Sequence, residues 1–111
     1  MNTQTIIFIG PQGSGKGTQV KKLADHLSAS GQPTLHLQTG QLFRDMMVEA
    51  TLTATGVRTL MERGDMIPNW LTTAVVAGEL KEHLTDRTHL LFDGFPRNLE
   101  QASIFEDIVS F

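Results

Sequence analysis

The 111-residue sequence contains no cysteine and no tyrosine, and a single tryptophan. Without cysteine there is neither a disulfide frame nor a thiolate metal site, so the fold has to rest on a hydrophobic core. Basic charge is scarce as well. Nine Lys and Arg residues stand against twelve Asp and Glu, a net charge of −3, which leaves no broad positive field to attract nucleic acid or an anionic membrane. The N-terminal apolar run, residues 6–9, is far too short to cross a bilayer, and no basic segment, long apolar stretch and small-residue cleavage site follow one another there. With 40% hydrophobic residues the chain can build one domain around one core. These exclusions lead to the expectation of a cytoplasmic soluble protein with no nucleic-acid and no membrane partner.

What is present is concentrated near the N-terminus. Residues 10–18 read GPQGSGKGT, directly after the apolar run Thr5-Ile6-Ile7-Phe8-Ile9. Glycines at 10, 13, 15 and 17 let the backbone curl so that several N–H groups face one anion. Val20, Leu23, Ala24 and Leu27 follow at helical spacing, which places the turn at a helix N-terminus with its positive dipole end on the same side. Lys16 adds a full positive charge. A glycine-rich turn can serve structure alone, but a plain turn has no use for a charge among glycines. The segment therefore reads as a holder of nucleotide phosphates. It departs from the common pattern G-x-x-x-x-G-K-[ST] in one respect: Gly17 follows the lysine, and the hydroxyl comes one residue later at Thr18.

Three apolar runs read as buried strands, at residues 5–9, 34–38 and 88–92. Five helical patterns lie between and after them. The first covers about 15–30, with Gly31 suited to its left-handed stop; the second follows Thr39-Gly40; the third carries Val57, Leu60 and Met61 and stops at Gly64. The fourth opens at Pro68-Asn69 with Asn69 as the expected N-cap, and the fifth covers about 98–109. Strands alternating with helices predict an α/β fold, a parallel sheet with right-handed crossovers. Ligands in such sheets bind at the carboxyl ends of the strands. Those ends are Gly10 onward, Thr39-Gly40 and Asp93-Gly94.

Two further groups lie at those ends. Thr39, Gly40 and Arg44 can bring a hydroxyl, helix N–H groups and a guanidinium to one anion, although the same residues also suit a plain helix start with a solvated arginine. Asp93-Gly94-Phe95-Pro96-Arg97 places an acid where a magnesium-associated carboxylate belongs, acting through water. Gly94 permits close backbone approach, and Pro96 stiffens the turn that carries Arg97. The four histidines show no metal-ligand spacing, Met46, Met47, Met61 and Met66 suit a core or a mobile segment, and Trp70 is expected to pack at its helix start.

Residues 10–19 (GPQGSGKGTQ), 39–44 (TGQLFR), 61–69 (MERGDMIPN) and 93–102 (DGFPRNLEQA) occur in this order over essentially the whole chain. Together they resemble adenylate kinase and its nucleoside monophosphate kinase relatives, within the P-loop NTPase superfamily. The resemblance implies transfer of a phosphoryl group from magnesium-bound ATP to AMP, giving two ADP. It implies that Gly13, Ser14, Gly15, Lys16, Gly17 and Thr18 cradle the ATP phosphates, and that Lys16, Arg97 and Asp93 form the catalytic set, with Asp93 near Mg2+ through water. Thr39, Gly40, Arg44, Asp65, Met66, Ile67, Gly94, Phe95, Pro96, Arg97 and Gln101 would form the AMP site. Gln101 would read the adenine edge, since an amide offers donor and acceptor in one plane. Residues 38–67 would form a small mobile AMP-binding subdomain on an incomplete core of residues 1–37 and 68–111, with three core strands. Gln12, Gln41 and Asn69 stand where the family commonly has other residues. Asn98 also occurs in pyrimidine monophosphate kinases, which carry asparagine at the position of Gln101; a UMP/CMP kinase is therefore the alternative acceptor choice.

The family's lid segment and later core elements have no counterpart here, so the resemblance implies a chain interrupted after the first half. Loss of cations around a transferring phosphoryl group costs on the order of 10³–10⁵ in turnover in related enzymes. A non-catalytic nucleotide-binding or assembly fragment is thus the reading from a different class. The absent strands would lie beside the first strand and leave it as a sheet edge open to pairing. A monomer is expected for the complete protein and an edge-mediated dimer is allowed for this fragment.

Overall fold

The structure is a computed structural model, and it describes residues 3–10 and 15–111. The elements run β1 (Thr5–Phe8), α1 (Lys16–Ser28), β2 (Thr34–Gln38), α2 (Thr39–Met46), α3 (Leu52–Arg63), α4 (Asn69–His83), β3 (His89–Asp93) and α5 (Leu99–Ser110). The architecture is the α/β arrangement expected, with three parallel strands and five helices among the described residues.

The strand order is β1-β3-β2, so the last strand in sequence lies in the middle. Thr5 pairs with Leu90 and Phe8 with Asp93 on one side of β3, while Thr34 pairs with His89 and Gln38 with Asp93 on the other. Because the strands are parallel and in step, all three carboxyl ends finish on one edge. The expectation of three buried strands holds fully only for β3, whose five residues are all buried. β1 is half-buried with Thr5 exposed. Among the described residues it has a neighbour on one side only.

The main core joins Leu37, Leu90 and Phe92 of the sheet to Val76 of α4 and to Phe95, with Ile104, Phe105 and Ile108 of α5 packed against it. Phe92 meets Phe105 edge to face at 5.2 Å between ring centroids, a favourable aromatic geometry. A second cluster links α2, α3 and α4 through Phe43, Val57 and Leu71, with Met46, Met47 and Met61 filling in around them.

Helix ends follow local chemistry. Thr51 caps α3 by accepting from the Ala54 N–H at 3.1 Å. Gly64 ends the same helix at φ 72°, and the Asp65 N–H reaches back to the Leu60 carbonyl at 2.9 Å, the paired-bond stop for which glycine is suited. The expected cap at α4 is different. Pro68 takes the cap position and its carbonyl accepts from Leu71 and Thr72, while the Asn69 side chain turns away to Asn98, Gln101 and Glu100. Trp70 is also unlike its expectation: it is 68% exposed at the start of α4.

Candidate active site at the carboxyl edge of the sheet

The N-terminus of α1 opens onto this edge. Gly15 holds the residue before the helix at φ 84°, a left-handed conformation that glycine adopts without strain. The first-turn N–H groups that follow have no partner within a helix. With Gly15, Lys16, Gly17 and Thr18 on one wall and Gln38, Gly40, Arg44, Asp93, Gly94 and Arg97 on the other, they line a cleft of about 370 Å³. Three cations and a helix N-terminus therefore face one space, an arrangement suited to a polyanion. Gly13 and Ser14, expected in the same cradle, lie outside the described residues.

Lys16 Nζ lies 2.8 Å from Asp93 Oδ1, and the Asp93 side chain is only 4% exposed. The central strand thus presents its terminal carboxylate to the lysine from beneath. His36 Nε2 stands 3.9 Å from the other carboxylate oxygen, a neighbour that the reading of the histidines missed. Register explains it: His36 pairs with Leu91, two residues before Asp93, and alternate residues share a face. Only the adjacency of β2 and β3 puts them together.

The turn after β3 is fixed by a close approach. Gly94 has φ 92°, and a Cβ built there would lie 2.6 Å from Thr39 Oγ1. The Thr39 hydroxyl donates to the Gly94 carbonyl at 3.2 Å and is buried. Thr39 is thus no helix cap; its hydroxyl ties the end of β2 to the end of β3. Arg44 folds over Gly40, where a Cβ would meet its guanidinium at 3.3 Å, and it donates to Gln41 Oε1 at 3.2 Å. Phe95 differs from its neighbours. Its side chain is in the core, so what it offers the edge is backbone. Pro96 follows through a cis peptide bond and lines a neighbouring cleft with Phe8, Ile9 and Lys16.

A second cleft of about 580 Å³ lies beside the first. Thr39, Phe43, Met61, the segment Asp65-Met66-Ile67 and Gln101 line it, together with Gly40, Gly94 and Arg97. The last three residues line both clefts. Gln101 is almost fully buried there, and its Oε1 accepts from the Arg97 backbone N–H at 2.8 Å. Asn69, given no site role from the sequence, donates to or accepts from three side chains at this point. Its part is invisible in sequence because its partners lie about thirty residues away.

A parallel sheet with a glycine-led helix and a lysine at its carboxyl edge defines an α/β fold of P-loop type. The family model described as adenylate kinase matches residues 8–111. An adenylate kinase of Thermus thermophilus is 39% identical over 107 residues, covering 96% of this chain and 52% of that protein. One of Mycobacterium sp. is 37% identical over 105 residues, covering 95% and 55%, and one of Dehalococcoides mccartyi is 39% identical over 102 residues, covering 92% and 44%. The chain belongs to the adenylate kinase family, and it spans about half the length of the curated relatives it matches. No described helix is long and apolar enough to cross a membrane.

Proposed function

We propose that the chain carries the phosphate loop and the acceptor site of an enzyme that transfers a phosphoryl group from MgATP to AMP. The observation that supports this best is the pair of adjoining clefts that share Gly40, Gly94 and Arg97. A phosphate beside Arg97 would belong to both spaces, which is the juxtaposition that in-line transfer between two nucleotides needs. In this reading Lys16, with the N–H groups of residues 13–18, holds the donor phosphates. Arg44 and Arg97 hold the acceptor phosphate from the opposite wall, and Thr39 and Gly94 set their spacing. Residues 65–67 and Gln101 line the space for the acceptor base, and residues 38–67 act as the mobile acceptor subdomain.

Asp93 suits a magnesium site of the water-mediated kind. Magnesium keeps most of its water and takes one or two carboxylates plus substrate phosphates. Among the described residues no cluster of three His, Cys, Asp or Glu side chains offers a complete protein cage. When bound, the ion would draw off charge developing on the phosphates. Lys16 would leave its contact with Asp93 and meet the phosphates instead. The cysteine-free composition fits a cytoplasmic setting.

Calorimetric titration of the folded chain with MgATP and with AMP, beside a coupled assay of ADP formation, tests the reading. Lys16→Ala should weaken MgATP about tenfold or more, and Arg97→Ala should weaken AMP by a similar factor, the range for losing a hydrogen bond to a charged group. A folded chain that ignores both nucleotides at millimolar concentration refutes it.

A further inference from the structure

A carboxamide can be turned over so that its oxygen and nitrogen change places with little change in shape. Gln101, however, sits in a chain of hydrogen bonds whose ends cannot be reversed. Its Oε1 accepts from the Arg97 backbone N–H, which can only donate, and its Nε2 donates to Asn69 Oδ1 at 3.0 Å. Asn69 is held in turn, since its Nδ2 donates to the Glu100 carboxylate, which can only accept. A third amide closes the group. Asn98 Oδ1 accepts from the Gln101 backbone N–H at 2.9 Å, so its Nδ2 is left to donate to Asn69 Oδ1, also at 3.0 Å. Turning over any one of the three amides sets donor against donor or acceptor against acceptor. Turning over all three fails as well, at Arg97, at the Gln101 backbone and at Glu100.

Gln101 therefore shows the second cleft one fixed order, carbonyl on the side of Arg97 and amino group on the side of Asn69. Each end keeps one unused valence, because an amide oxygen accepts twice and an amide nitrogen donates twice. A 6-aminopurine offers an acceptor at N1 beside a donor at N6. A 6-oxopurine offers the opposite order, N1–H beside an acceptor oxygen. A nucleotide anchored by its phosphate cannot slide to correct a mismatch, so the 6-oxo base would need Gln101 turned over. We infer that Asn69, backed by Glu100 and Asn98, is a positioning residue that, together with the Arg97 backbone N–H, makes the acceptor site select 6-aminopurine over 6-oxopurine mononucleotides. The inference rests on the reading that the acceptor base lies against Gln101.

The test compares AMP with IMP, which differ in this edge alone, by calorimetric or NMR titration of the folded chain. The unaltered chain should prefer AMP by about 5- to 150-fold, the range for a matched against a mismatched pair of base contacts. Asn69→Leu removes the tie without adding a polar group, and the AMP/IMP ratio should fall about fivefold or more, chiefly because IMP binds better. Asn69→Asp made together with Glu100→Gln keeps the acceptor facing Gln101 and gives its second oxygen a donor in place of the Glu100 carboxylate, and this pair should keep the ratio. Glu100→Gln, at an exposed position, removes one of the three points at which reversal fails and should move the ratio in the same direction as Asn69→Leu, by less. General damage to the cleft would weaken AMP and IMP alike and leave the ratio where it was. Ratios unchanged in both Asn69→Leu and Glu100→Gln overturn the inference while the proposed function stands. No AMP binding, or AMP binding unaffected by Gln101→Leu, overturns the placement of the base and the inference with it.

Discussion

Replacing Gly94 by alanine tests whether the contact between the ends of β2 and β3 holds the edge in place. The substitution has two separable costs. At φ 92° an alanine is in a conformation that non-glycine residues adopt at a cost of about 1–3 kcal/mol. Its Cβ would also stand 2.6 Å from Thr39 Oγ1, well inside contact distance. Thr39 is buried and its hydroxyl is engaged with the Gly94 carbonyl, so relief requires moving one strand end and losing that bond, worth about 1 kcal/mol. The total is about 2–4 kcal/mol. For a domain of about 100 residues each kcal/mol lowers the midpoint by roughly 4–8 °C, so Gly94→Ala should melt about 8–32 °C below the unaltered chain in thermal unfolding followed by circular dichroism. Thr39→Ala alone should cost about 1 kcal/mol. In the double variant the clash is gone and the backbone cost remains, so the combined loss should fall short of the sum by about 1 kcal/mol or more. A Gly94→Ala chain melting within about 2 °C of the parent, or strictly additive losses, refutes the argument.

Three other positions yield separate expectations. Thr51→Ala removes the acceptor for the Ala54 N–H and should cost about 1 kcal/mol, with Thr51→Asn or Thr51→Asp restoring most of it; urea titration reads the difference, and an unchanged midpoint in Thr51→Ala would show that the cap contributes nothing. Phe92→Ala empties the centre of the sheet, where the ring is fully buried against Phe105 and Phe95, and should destabilise by about 3–5 kcal/mol. The same change at Phe105, which is only partly buried, should cost less, and the reverse order would place the core elsewhere.

The residues that line the first cleft were legible from the chain because their chemistry is local. A glycine series with a lysine at a strand-to-helix step, and an acid with a glycine at the end of an apolar strand, describe their surroundings in a few consecutive positions. Of the amides beside the second cleft, the chain singled out only Gln101. The partners that give that amide a direction come from two helix starts about thirty residues apart, and no pattern along the chain joins them. Asn69 shows the limit well: next to Pro68 it has the composition of a cap, and the proline carbonyl takes that task and leaves the side chain to reach across.

What the sequence determined by itself was the set of elements, because hydrophobic period, glycine stops and cap residues act within a turn or two of the chain. The tertiary structure decided that β3 lies between β1 and β2: the resemblance put the first strand at an edge, and the other two apolar runs looked equally fit for the middle. That order brings His36 beside Asp93 and sets Asp93 under Lys16. It also presses Thr39 against Gly94. Strand order is settled by which helices can cover which face of a shared sheet, a balance of packing over the whole molecule that no local stretch of sequence carries.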